Sequence, residues 1–126
     1  MKEPNYASTP TNAISQLSVA NTNRNGTGTL VTLIEGGANG VSVQDIMLHA
    51  TGTTAAGFIF LYLSNGTTNS LILEHPVTAI TPSATVSAWN SFISDFSVVL
   101  APGWSLKAST YVANTFMVSI LRASYF

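Results

Sequence analysis

The chain is written in short apolar stretches separated by turn residues. After a polar start, "LSVAN" predicts a first strand, closed by "NRNG" with Asn25-Gly26 as its turn. "TGTLVTLIE" predicts a strand rich in β-branched residues, and "GGANG" ends it. In "VSVQDIMLHA" Val41 and Val43 alternate in one phase, while Ile46, Leu48 and Ala50 continue in the other. A β-bulge near Gln44-Asp45 is predicted to reset the register. "AAGFIFLYLS" and "SLILEH" predict two more strands joined by "NGTTNS". Pro76 is read as opening a loop, "PVTAITPSA", before a short strand, "TVSAW". "SFISDFSVVL" reads as one strand with Phe92, Phe96, Val98 and Leu100 on a shared face and Ser94 as the exception. "APGW" turns at Pro102-Gly103, and "SLKAST" and "TFMVSILRASYF" complete the pattern.

No segment sustains a 3.6-residue period with caps. Eight or nine strands with turns every eight to twelve residues give an all-β class, a sandwich or a barrel. Eight antiparallel strands in this length, with unequal loops, fit a single jelly-roll β-sandwich. An immunoglobulin-like sandwich is the competitor, without the Cys…Trp…Cys spacing.

Several of these strands are apolar on both sides. Phe58, Phe60 and Tyr62 oppose Ile59, Leu61 and Leu63. Phe116, Val118 and Ile120 oppose Met117 and Leu121, and Leu30 and Ile34 oppose Val31 and Leu33. A two-layer sandwich has one inner face per sheet. The second faces are therefore expected to be covered by other copies of the chain, with Phe58, Phe60, Tyr62, Phe116 and Val118 as the self-association residues. The alternative is that some strands sit centrally in a closed barrel, where loops cover the outside.

Residues 1–16, "MKEPNYASTPTNAISQ", are expected to form an N-terminal arm ahead of a domain spanning 17–126. Pro4 and Pro10 interrupt regular structure there, and large apolar side chains are few. Pro4, Asn5, Tyr6 and Pro10 are the candidate contacts of this arm with a partner.

Composition sharpens the picture. Of 126 residues, 46% are hydrophobic, enough for one real core, but only 7% are charged against roughly 25% in an average soluble domain. Like charges keep free monomers apart, so this surface of Thr, Ser and Asn suits close packing of identical copies. The formal net charge of −1, without a basic run, excludes the footprint of a nucleic-acid binder. There is no Cys, which removes disulfides, thiolate zinc sites and Cys nucleophiles. No apolar run approaches the roughly 18 residues of a membrane helix. "MKEPNYASTP" has no apolar signal core, so a soluble protein made in a cytoplasm is expected. The sequons at Asn25 and Asn65 then read as turn chemistry.

Chemistry-bearing residues are scattered. His49, His75, Asp45 and Glu74 are the nearest approach to a metal set, but their spacings along strands do not converge. Glu3, Glu35, Asp45, Glu74 and Asp95 include no marked pair of the kind a glycosidase places across a cleft. No nucleophile elbow, phosphate loop or HExxH occurs, and neither an enzyme nor a cofactor is expected. Trp89 and Trp104 are expected to pack, in the core or at an interface, with a sugar-stacking platform as the other reading.

"NRNGTGTLVTL", "ATGTTAAGFIFLYLSNGTTNSLILEHPVTAITPSATV" and "APGWSLKAST" resemble segments of small all-β head proteins of tailed bacteriophages. Over about residues 18–126 the chain resembles a capsid decoration, or cement, protein with a jelly-roll fold. The resemblance implies a location on the capsid exterior of a virion, a homotrimer, and the phage major capsid protein as partner. It implies no particular site residue. A trimeric receptor- or glycan-binding module of a phage tail or fibre is the other expectation.

Overall fold

The computed structural model of the chain describes residues 6–126. Among them are nine antiparallel strands in two sheets, packed face to face as a β-sandwich. They are β1 (Thr9–Leu17), β2 (Val31–Glu35), β3 (Val41–Ala50), β4 (Gly57–Ser64), β5 (Asn69–Val77), β6 (Asn90–Ile93), β7 (Val98–Leu100), β8 (Ser105–Thr110) and β9 (Phe116–Tyr125). One sheet runs β1-β9-β3-β6, with β7 also paired to β3; the other runs β2-β8-β4-β5.

Alternation decides which side chains enter the core. Val41, Val43, Ile46, Leu48 and Ala50 of β3 and Phe116, Val118 and Ile120 of β9 point inward from the first sheet. Ile59 and Leu61 of β4 and Leu106 and Ala108 of β8 meet them from the second. Each such large aliphatic side chain, fully buried, contributes about 1.5–3 kcal/mol. The phase change within β3 is absorbed by the expected bulge: the register with β9 shifts on both sides of Asp45.

Five features differ from the pattern reading. The first strand is Thr9–Leu17, not "LSVAN", so residues 9–16 of the expected arm lie in the sheet as an edge strand on β9. Residues 18–30 form a long loop that includes the first half of "TGTLVTLIE". Pro76 lies within β5, an edge strand, where a missing ladder donor is tolerated. "TVSAW" is not a strand, and "SFISDFSVVL" is two strands rather than one. The break at Ser94–Ser97 contains Asp95 and Ser97 at positive φ (54° and 52°), and it changes the facing. Phe92 therefore points outward, while Phe96, Val98 and Leu100 pack on the core.

The turns follow their residues. Asn65 Oδ1 accepts hydrogen bonds from the Thr67 and Thr68 N–H groups (3.0 and 2.7 Å) between β4 and β5. In "APGW" the Trp104 N–H donates to the Ala101 carbonyl (3.0 Å), with Gly103 at φ 81°, which the second central position of a type II turn requires.

Candidate functional site

The two outer sheet faces are built differently. On the β2-β8-β4-β5 sheet, Phe58, Phe60 and Tyr62 point away from the core, as expected, but the chain covers them itself. The 18–30 loop crosses this face from β8 to β5. The Asn21 N–H donates to the Thr110 carbonyl at the end of β8 (2.8 Å). The Tyr62 hydroxyl donates to the Asn23 carbonyl (2.8 Å). The Asn69 side-chain amide donates to the Gly26 carbonyl over β5 (2.9 Å). Between these anchors the Arg24 guanidinium lies 5.7, 5.3 and 5.8 Å from the ring centres of Phe58, Phe60 and Tyr111, and it is ion-paired with Glu74. The hydrogen bond to Glu74 raises the Arg24 pKa, and burial pushes the Tyr62 phenol up.

Phe60 and Tyr62 are fully buried within one chain, so they are corrected from self-association residues to residues under an internal roof. Phe58 is half-buried in the same aromatic cluster. Phe116 and Val118 are core residues: the outward positions of β9 are Met117 and Leu121. Pro4 and Asn5 lie outside the described residues. Tyr6 is exposed, and Pro10 stands in β1 opposite Ser124.

The outer face of the β1-β9-β3-β6 sheet has no roof among the described residues. Cross-strand register aligns Ile14, Ser119, Met47 and Phe92 in one row over four strands. Ile14 is 74% exposed, Phe92 52% and Leu121, just beyond the row, 50%. On one side lie Gln16, Met117, His49 and Asn90. On the other the β3 bulge presents Asp45 to the Arg122 guanidinium (3.3 Å), which also donates to Gln44 (2.7 Å) and reaches Asp95 (3.6 Å). The face thus has an apolar centre between margins that are mainly polar, with Met117 in one and the exposed Val99 in the other. Pattern reading missed Ile14, because it fell in the expected arm, and assigned Phe92 to the wrong face.

The remaining chemistry-bearing residues are dispersed. Among the described residues no three His, Asp or Glu side chains gather as metal ligands. His75 points between the sheets, 2.8 Å from the Ser91 hydroxyl and edge-on to Trp89, and burial lowers its pKa. Trp89 packs inside, against Phe116, as expected. Trp104 differs from its packing expectation: it remains 37% exposed at the rim of a groove.

No protein-family model matches the chain, and no curated protein matches it in sequence.

Proposed function

We propose that the chain is a structural virion protein that decorates the exterior of an assembled phage head as a homotrimer and stabilises it. The observation that carries this reading is the unroofed outer face of the β1-β9-β3-β6 sheet, with Ile14, Met47, Phe92 and Leu121 at its centre. The same chain spends thirteen residues, 18–30, roofing the equivalent aromatic face of the other sheet. An apolar face left bare in a chain that covers the aromatic part of its other sheet suits a partner, and an apolar centre with mainly polar margins suits a second copy. Low charge lets identical surfaces approach without repulsion.

The jelly-roll reading is supported by strand order. Counting β6 and β7 as one interrupted partner of β3 leaves eight strands, four per sheet. Apart from that break and the β4-β5 hairpin, every connection passes from one sheet to the other. Such a protein acts by linkage: binding the closed shell but not its free subunits shifts the equilibrium toward the shell. Three copies joined together multiply modest contacts through avidity.

The test has two parts. Light scattering on the purified protein is expected to give a mass near three chains of 13.2 kDa. Heads assembled from the cognate major capsid protein are expected to carry the protein down on sedimentation and to withstand a higher temperature with it bound. A monomer that stays in the supernatant refutes the reading.

A further inference from the structure

The groove beside Trp104 lies on the part of the β2-β8-β4-β5 face that the 18–30 loop leaves open. Two outward-facing rungs, on either side of the inward Ile34–Leu106–Leu63 rung, form its floor. Glu35, Ser105 and Ser64 align across β2, β8 and β4; Thr32 and Lys107 align on the other rung, whose β4 member, Tyr62, is already under the loop. Trp104 stands at the rim on its type II turn. That turn is held against the end of β2 by the Gly36 N–H, which donates to the Trp104 carbonyl (2.8 Å). A Cβ at Gly36 would collide with the Ala101 carbonyl oxygen, so the close approach of turn and strand depends on glycine there.

The space measures about 320 Å³, at the small end of the roughly 300–1,000 Å³ of small-ligand sites. Its chemistry is specific in what it lacks. Glu35 opposes an anion and Lys107 opposes a cation, and neither is ion-paired among the described residues. Ser64 is buried beneath the floor and accepts from the Gly66 N–H, and Ser105 is nearly buried, so the groups a ligand meets are the Thr32 hydroxyl, the Lys107 ammonium and the Glu35 carboxylate, which a hydrocarbon would leave unsatisfied. The partly exposed Trp104 side chain at the rim supplies the apolar contact. A neutral polyhydroxylated ring matches this set: its hydroxyls bond to charged and hydroxyl side chains while one C–H face lies on the indole.

We propose that this groove is a binding site for a neutral saccharide, with Trp104 as the stacking platform and Glu35 and Lys107 as the hydroxyl-recognising pair. The site is independent of the bare face of the other sheet, so it does not depend on the head-decoration reading and leaves that face free for self-association.

The experiment titrates the purified full chain with maltotriose, cellotriose and N,N′,N″-triacetylchitotriose, with inorganic phosphate as an anionic comparison. Trp fluorescence and saturation-transfer NMR are read together. Trp89 is buried and Trp104 is not, so a ligand in the groove changes chiefly the Trp104 emission. At least one trisaccharide is expected to bind saturably with a Kd of about 1 mM or tighter. Trp104→Ala is expected to weaken it roughly tenfold or more and Trp104→Phe to retain most of it, about a 1.4 kcal/mol difference between the two. Both variants are expected to keep the thermal midpoint of the parent, since the side chain is partly exposed. The proposal is overturned if none of the three sugars binds, if only phosphate binds, or if Trp104→Ala binds as the parent does.

Discussion

The roof over the aromatic face has one side chain at its centre, and removing it tests whether the chain covers this face alone. Asn21 is buried, and its amide donates to the Thr27 and Thr29 carbonyls (2.9 and 3.0 Å) while its Oδ1 accepts from the Asn23 N–H (3.0 Å). These three bonds fold the loop back on itself and set Asn23 and Arg24 over Tyr62 and Phe60. Asn21→Ala deletes all three and leaves two carbonyls and one N–H unpartnered inside the loop. At about 1 kcal/mol net per bond the loss is about 3 kcal/mol. For a chain of 126 residues, with about 2.1 cal/mol/K of unfolding entropy per residue, that lowers the midpoint by roughly 8–15 °C. Calorimetry measures the shift. A hydrophobic dye measures the second consequence, exposure of Phe58, Phe60 and Tyr62 when the loop lifts. A midpoint within about 2 °C of the parent, with no gain in dye binding, refutes the internal roof and returns this face to a symmetry mate.

Three further outcomes follow from the same geometry. Phe92→Asp places a charge in the exposed row with Ile14 and Met47; the mass by light scattering is expected to fall to one chain while stability changes by about 1 kcal/mol or less, and an unchanged oligomer rejects this face as the interface. His75 has a pKa lowered by burial from the ordinary 6.5, so below that value the unfolded chain binds the proton that the folded chain refuses. Its contribution is complete above about pH 6.5 and declines as pH falls through that value; a scan from about pH 8 to about pH 5.5 is expected to show the decline and His75→Phe to remove it. Gly36→Ala drives a methyl into the Ala101 carbonyl, and a loss of about 1–3 kcal/mol together with a shift in Trp104 emission is expected by calorimetry and fluorescence.

Local pattern was most informative where a strand packs on the core. The β3 bulge was legible because Val41 and Val43 fall out of phase with Ile46, Leu48 and Ala50, and only an inserted residue puts all five inside. β8 and β9 were legible as the two apolar stretches that follow the "APGW" turn. β1 was not, because an edge strand with an unroofed outer face needs few apolar residues. Ile14 and Leu17 alone do not distinguish it from an arm. The break between β6 and β7 rests on positive φ at Asp95 and Ser97, which residue type does not announce.

The aromatic side of "GFIFLYLS" shows where period-two reasoning stops. Alternation states correctly that Phe58, Phe60 and Tyr62 face away from Ile59 and Leu61. It is silent on what meets them, because the cover lies more than thirty residues earlier and works by other means. Asn21, Asn23 and Arg24 are polar, and a reading that matches apolar face to apolar face passes over them. Their amides close a loop and their cation sits on ring faces, so a polar segment shields an aromatic surface as well as an apolar one does. The Glu35–Ser105–Ser64 rung, a few residues along the same strands, has small hydroxyls and a carboxylate where the roofed part has rings, and the groove above it leaves Glu35 exposed. The two halves of this face thus follow from one rule: the loop extends over the part of the sheet that water would not tolerate and ends where the side chains can be solvated. Applied to the opposite sheet, the same rule marks Ile14, Met47, Phe92 and the adjoining Leu121 as an apolar patch that the described residues do not shield, and therefore as the place where assembly has most to gain.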